Sequence, residues 1–232
     1  MADALDRVQV IRTGLRRKTL ALEVHPSGEV FVRAPEGCDE ARIDALLLKR
    51  QRWIAEQRAF FQRFNPRTPP RAWVPGESHL HLGRRYKLQM ETGPMPNVQL
   101  RGSDMVVTLE PGDRHHPEVI ESTVQRWRHQ QAKAVFSRAL EQCHGHYRFN
   151  HFDTPHLRVQ RLAKRWGSLS PSGSMTLHSA LVQAPSTCIS YVIFHELCHA
   201  IHPDHSRAFF DLLTEVCPKW VAHKHRLETL LR

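Results

Sequence analysis

Residues 195–205 of the chain read HELCHAIHPDH, which sets His195, His199 and His205 around one glutamate, Glu196. On a helix, residues four apart lie nearly one above the other, so His195 and His199 can aim ring nitrogens at a single ion. Glu196 is poorly placed to be a third ligand from the same helical turn. It can, however, reach water at an open metal position and take its proton. Pro203 ends the helix and allows the chain to turn back, so that His205 closes a third position. Three protein ligands leave the fourth free, which distinguishes a catalytic zinc (Zn2+) from a structural one.

The chain has 17 histidines in 232 residues, so an isolated i, i+4 pair would be weak; the third histidine and the helical context carry the reading. Ser186 is the expected N-cap, and Ile189, Val192, Ile193, Leu197, Ala200 and Ile201 recur at helical spacing as an apolar face. His195 and His199 fall on the flank of that face, where they line a cleft. Upstream, residues 157–181 form two extended pieces around the turn composition of residues 170–173, and an edge strand there can pair with an extended peptide. Residues 206–217 and 218–231 read as closing helices, with Phe209, Phe210, Leu212 and Leu213 packing under the site.

Earlier in the chain, Ala21–Val24 and residues 30–33 suggest a hairpin, and residues 39–64 a long amphipathic helix. Pro66, Pro69, Pro70 and Pro75 make 65–76 a linker or extended loop. Strands are expected at 79–82, 86–90, 98–101 and 105–109, and a further helix at 115–143. The order gives an α+β fold: a zincin-like catalytic unit of helix, antiparallel strands, HExxH helix and closing helices, preceded by a hairpin, helix and strand region. The expected division is a basic N-terminal region, 1–112, and a catalytic region, 113–232.

Composition agrees with an enzyme that buries a sizeable core, since 41% of the chain is hydrophobic. No apolar run reaches membrane-spanning length, and the first residues lack a signal-peptide core. Five scattered cysteines without a CxxC pair point to a reduced, cytoplasmic setting. The net charge of +10 sits entirely in the first 184 residues, because residues 185–232 hold five basic and five acidic side chains. Runs such as Arg16, Arg17, Lys18 and Arg161, Lys164, Arg165 can attract nucleotides, nucleic acid or acidic protein segments.

These residues resemble the YgjP-like bacterial metallopeptidases, relatives of the SprT and WLM types. The resemblance rests on RRKTLALEVHPSGEVFVRAP, on KRWGSLSPSG from Lys164 to Gly173, on ISYVIFHELCHAIHPDHS, and on Phe209 and Phe210. It implies zinc held by His195, His199 and His205, with Glu196 as catalytic acid/base. The chain carries Leu169 where cysteine is usual in the family, so that side chain is not chemically essential. Metzincins share the histidine spacing, but their glycine is His202 here and a Met-turn is absent, which places the chain outside them.

The function read from the sequence is zinc-dependent hydrolysis of peptide bonds, with a protein or peptide as partner. Lys164, Arg165 and His202 are the candidate substrate-binding residues. A metal-dependent nucleoside triphosphate pyrophosphatase is the alternative, with Lys164 and Arg165 holding phosphate. A basic nucleic-acid-binding protein with structural zinc is the third reading, against which Glu196 speaks.

Overall fold

The computed structural model describes residues 8–12, 20–25, 28–62, 71–163 and 165–231. Arg16, Arg17, Lys18, Pro66, Pro69, Pro70 and Lys164 lie outside these, as do the side chains of Phe60 and Phe61 and all of Phe64. Among the described residues the fold is mixed α+β, with five α-helices and three small sheets. Two compact units, Met1–Pro69 and Pro70–Arg232, divide within the proline-rich segment.

In the first unit, β2 (Ala21–Val24) and β3 (Val30–Ala34) form the expected antiparallel hairpin. A strand not foreseen, β1 (Val8–Arg12), adds to β3 in parallel. Val30, Val32 and Ala34 alternate inward and pack with Ile43, Leu47 and Ile54 of α1 (Glu40–Gln62), the face expected of an amphipathic helix on a half-buried sheet.

The second unit opens with β4 (Ser78–His81), β5 (Arg84–Thr92), β6 (Asn97–Arg101) and β7 (Asp104–Leu109), which form a sheet of order β4-β5-β7-β6. All four strands fall where alternation and Gly or Pro turns placed them, but the sheet is mixed: β6 is the outer hairpin partner of β7, which leaves β7 parallel to β5. Leu82 and Gly83, at φ +47° and +78°, make the two-residue turn between β4 and β5. Their N–H groups donate to the carbonyls of Val182 and Gln183, tying this turn to the chain just ahead of the metal helix.

Helix α2 (Pro117–His144) runs 28 residues, about 42 Å, and serves two cores. Ile120 and Val124 pack on the first sheet of this unit; Ala132, Phe136 and Leu140 pack on the second. Between them, at the same i, i+4 spacing, lies Arg128, 4% exposed. Its Nη2 donates to His79 Nδ1 at 3.4 Å, and its guanidinium lies 5.9 Å from the Trp73 ring centroid. His79 stacks on Trp73 and His81 tilts against Trp127, each at 4.8 Å. Burial first, then the Arg128 charge, pushes both imidazoles down to about 4.

The last sheet holds β8 (His156–Gln160), β9 (Gly167–Leu169) and β10 (Ser174–His178) in the order β8-β10-β9, three strands where the sequence suggested two pieces. Only β9 is antiparallel to β10; β8 is parallel to it. Met175 and Leu177 face the core that α2, α3 (Ser186–Ile201), α4 (Arg207–Val216) and α5 (Trp220–Leu231) complete. Helix α3 starts at Ser186 as a helical residue, with Pro185 rather than Ser186 as the cap: the Pro185 carbonyl accepts from Cys188 and Ile189.

Candidate metal centre

Helix α3 ends at Ile201, and the chain turns through His202, Pro203 and Asp204 before Ser206 caps α4. That turn returns His205 to the helix, so its Nε2 lies 3.2 Å from His195 Nε2. One ligand atom from each of His195, His199 and His205 falls within 4.8 Å of the other two, the only such group among the described residues. Phe209, the third residue of α4 and fully buried, supports all three: its ring centroid lies 5.0, 4.6 and 4.7 Å from those of His195, His199 and His205.

The chemistry of this donor set suits a borderline cation. His199 Nδ1 donates to the His202 carbonyl at 3.2 Å, which leaves its Nε2 with the lone pair a metal needs. Burial, then the neighbouring His199 and His205, lowers His195 to about 4, so it is held in the neutral, ligating form. His205 is lowered too, chiefly by burial. His195 Nδ1 is enclosed with no hydrogen-bond partner. Three imidazoles without a thiolate therefore fit zinc and leave a position free.

Glu196, 7% exposed, lies beside the first histidine on α3 and under β9. Burial raises its carboxyl to about 7, against the opposing pull of a backbone hydrogen bond from Leu169 and the charge of Arg165. Leu169 thus acts through its N–H, which every residue but proline supplies. Gly167 leaves room for the glutamate: a Cβ there would lie 2.9 Å from Glu196 Cγ. Gly167 lies inside the KRWGSLSPSG stretch, but the sequence alone gives it no role of its own, because the close approach to Glu196 is made only in the fold.

His195, Glu196, His199 and His205 open on a cleft of about 1070 Å³ that β9, Ser170 and Pro171 also line. Arg165 lines it, His202 does not, and Lys164 lies outside the described residues. His202 contributes its carbonyl to His199 instead. His144, the last residue of α2, has both ring nitrogens engaged, by the Phe152 carbonyl and by Thr154 Oγ1, which leaves it no role as a ligand.

The family model described as YgjP-like, metallopeptidase domain, matches residues 18–230. The chain belongs to the YgjP-like metallopeptidases. Membership of a peptidase family implies a protein or peptide substrate. No curated protein matches the chain. Among solved structures, the metallopeptidase zymogen of Pyrococcus abyssi abylysin is similar at 20% identity and a TM-score of 0.36, over 43% of this chain and 94% of that one. Among the described residues no helix is long and apolar enough to cross a membrane.

Proposed function

We propose that this YgjP-like protein is a zinc metallopeptidase of zincin arrangement, with His195, His199 and His205 holding zinc and Glu196 as general base. The observation that carries the reading is the convergence of three imidazole donors next to a buried carboxyl, under an open sheet edge. Zinc at this position would polarise a peptide carbonyl and make water more acidic. All of these residues lie within 113–232, the proposed catalytic region.

Each remaining task falls to a named group. Ser170 N–H bonds the Ser174 carbonyl and the Trp166 carbonyl accepts from His178, so Trp166, Ser168 and Ser170 point their backbone groups toward β10. Gly167 and Leu169 consequently turn theirs to the open edge. The edge receives an extended peptide by backbone pairing, while the Leu169 N–H holds the Glu196 carboxylate in place. Glu196 takes a proton from the attacking water and returns it to the leaving amine, a transfer suited to a carboxyl held near 7. Phe209 seals the side of the imidazoles away from the cleft.

The test compares the parent, Glu196→Gln and His205→Ala for metal content by plasma emission spectrometry and for cleavage of a peptide library. The parent should carry about one zinc per chain and cleave; Glu196→Gln should keep its zinc and lose at least about 100-fold in kcat/KM; His205→Ala should lose zinc. Hydrolysis of a nucleoside triphosphate by the zinc-loaded parent, with no peptide cleaved, would instead favour the pyrophosphatase reading.

A further inference from the structure

We propose that the polar face of the β8-β10-β9 sheet is a subsite for an acidic side chain of the substrate, a carboxylate or phosphate carried on an extended peptide. The inference rests on the peptidase reading of the adjoining cleft and names its substrate class.

Because Met175 and Leu177 turn into the core, Ser174 and Thr176 take the opposite face of β10. The register sets Arg158 of β8 against Thr176 from one side and Ser168 of β9 against it from the other. This row, with Arg165, Ser170 and Ser174, lines a hollow of about 350 Å³. Its side chains are guanidinium or hydroxyl apart from Leu169, and none is acidic. Among the described residues neither Arg158 nor Arg165 is in an ion pair, although the chain forms such pairs elsewhere.

The hydroxyls are also poised. Ser170 Oγ accepts the Ser174 N–H at 3.0 Å and lies 2.9 Å from Ser172 Oγ, which fixes that corner. Ser174 Oγ is enclosed and has no hydrogen-bond partner. An enclosed hydroxyl without a partner, in a hollow that two arginines also line, is an arrangement an oxyanion completes.

Continuity with the cleft decides where the oxyanion comes from. Arg165, Ser168, Leu169 and Ser170 line both spaces, so β9 is their common wall. A peptide paired along the β9 edge sends successive side chains to opposite faces of the sheet. One set faces the Glu196 side, and the alternate set lies over Ser168 and the hollow. An acidic residue in the alternate set meets Arg165 first and Arg158 at the far side.

The test uses the full-length zinc-loaded protein and peptides identical except for one position holding glutamine, glutamate, phosphoserine or lysine. Cleavage rates and fluorescence anisotropy of labelled peptides are measured together. Glutamate and phosphoserine should each exceed glutamine by about tenfold or more in kcat/KM and in affinity, the size of a charge-assisted hydrogen bond. Their ratio to each other tells carboxylate from phosphate as the better ligand. Arg158→Glu should invert the order toward lysine, a reversal that a general loss of structure does not produce. Equal values for all four peptides, or an acidic preference that survives Arg158→Glu, overturns the subsite. Binding of inorganic phosphate without any preference among peptides overturns it as well, and assigns the hollow to free phosphate. Preferential binding without cleavage of any peptide would uphold the subsite and sink the peptidase reading instead.

Discussion

Gly167 and Glu196 are in such close approach that a Cβ on the glycine would lie 2.9 Å from the glutamate Cγ and 3.0 Å from its Oε1. The third near atom is Val192 Cγ1, also at 3.0 Å, so the space is closed on the helix side as well. Of these neighbours the carboxylate arm is the most easily moved.

Gly167→Ala should therefore push Glu196 aside while leaving the three histidines where they are. The expected outcome is normal zinc content with kcat lowered by up to about 100-fold, the cost of displacing a catalytic group by about 1 Å. Steady-state kinetics beside metal analysis would check it. An alanine variant with parental kcat would mean that the contact does not set the carboxylate.

Phe209 offers a second, independent handle, because one ring supports three imidazoles with centroids within 4.6 to 5.0 Å. Removing it opens a cavity beneath the donors. Phe209→Ala should cost about 3–5 kcal/mol of stability and weaken zinc binding at least about tenfold, whereas Phe209→Leu should keep most of both. Competition with a chromophoric chelator measures the affinity, and equal affinity in the alanine variant would count against a supporting role.

The site was legible because its elements are local. His195 and His199 are one helical turn apart, and Pro203 announces the turn that brings His205 back. The hairpin of β2 and β3 and the strands of β4 to β7 were likewise written in alternation and turn residues. What escaped was decided at a distance. β1 joins β3, and β8 joins β10, by parallel pairing, which leaves no signature in a short stretch of sequence. Helix α2 shows the same limit within one element: the apolar Ala134 is exposed, while Arg128 is buried in the row that includes Val124 and Ala132. A charged residue is read as solvated unless the partners that take it inside, here His79 and Trp73, are known to be near.

Those partners set the last prediction. His79 and His81 are 0% and 5% exposed and stay neutral beside Arg128, with their pKa values pushed from 6.5 to about 4. In the unfolded chain both return to the ordinary value, so between pH 6.5 and about 4 the unfolded state binds more protons than the folded one. The contribution is thus fully present above pH 6.5 and is lost as pH falls toward 4. Together the two groups should remove on the order of a few kcal/mol over that window. Thermal midpoints of the metal-free protein at pH 7.5 and about 5 would show the drop, and the double variant His79→Gln, His81→Gln should have a smaller one whatever its absolute stability. A pH dependence as steep in the double variant as in the parent would locate the acid-sensitive groups elsewhere.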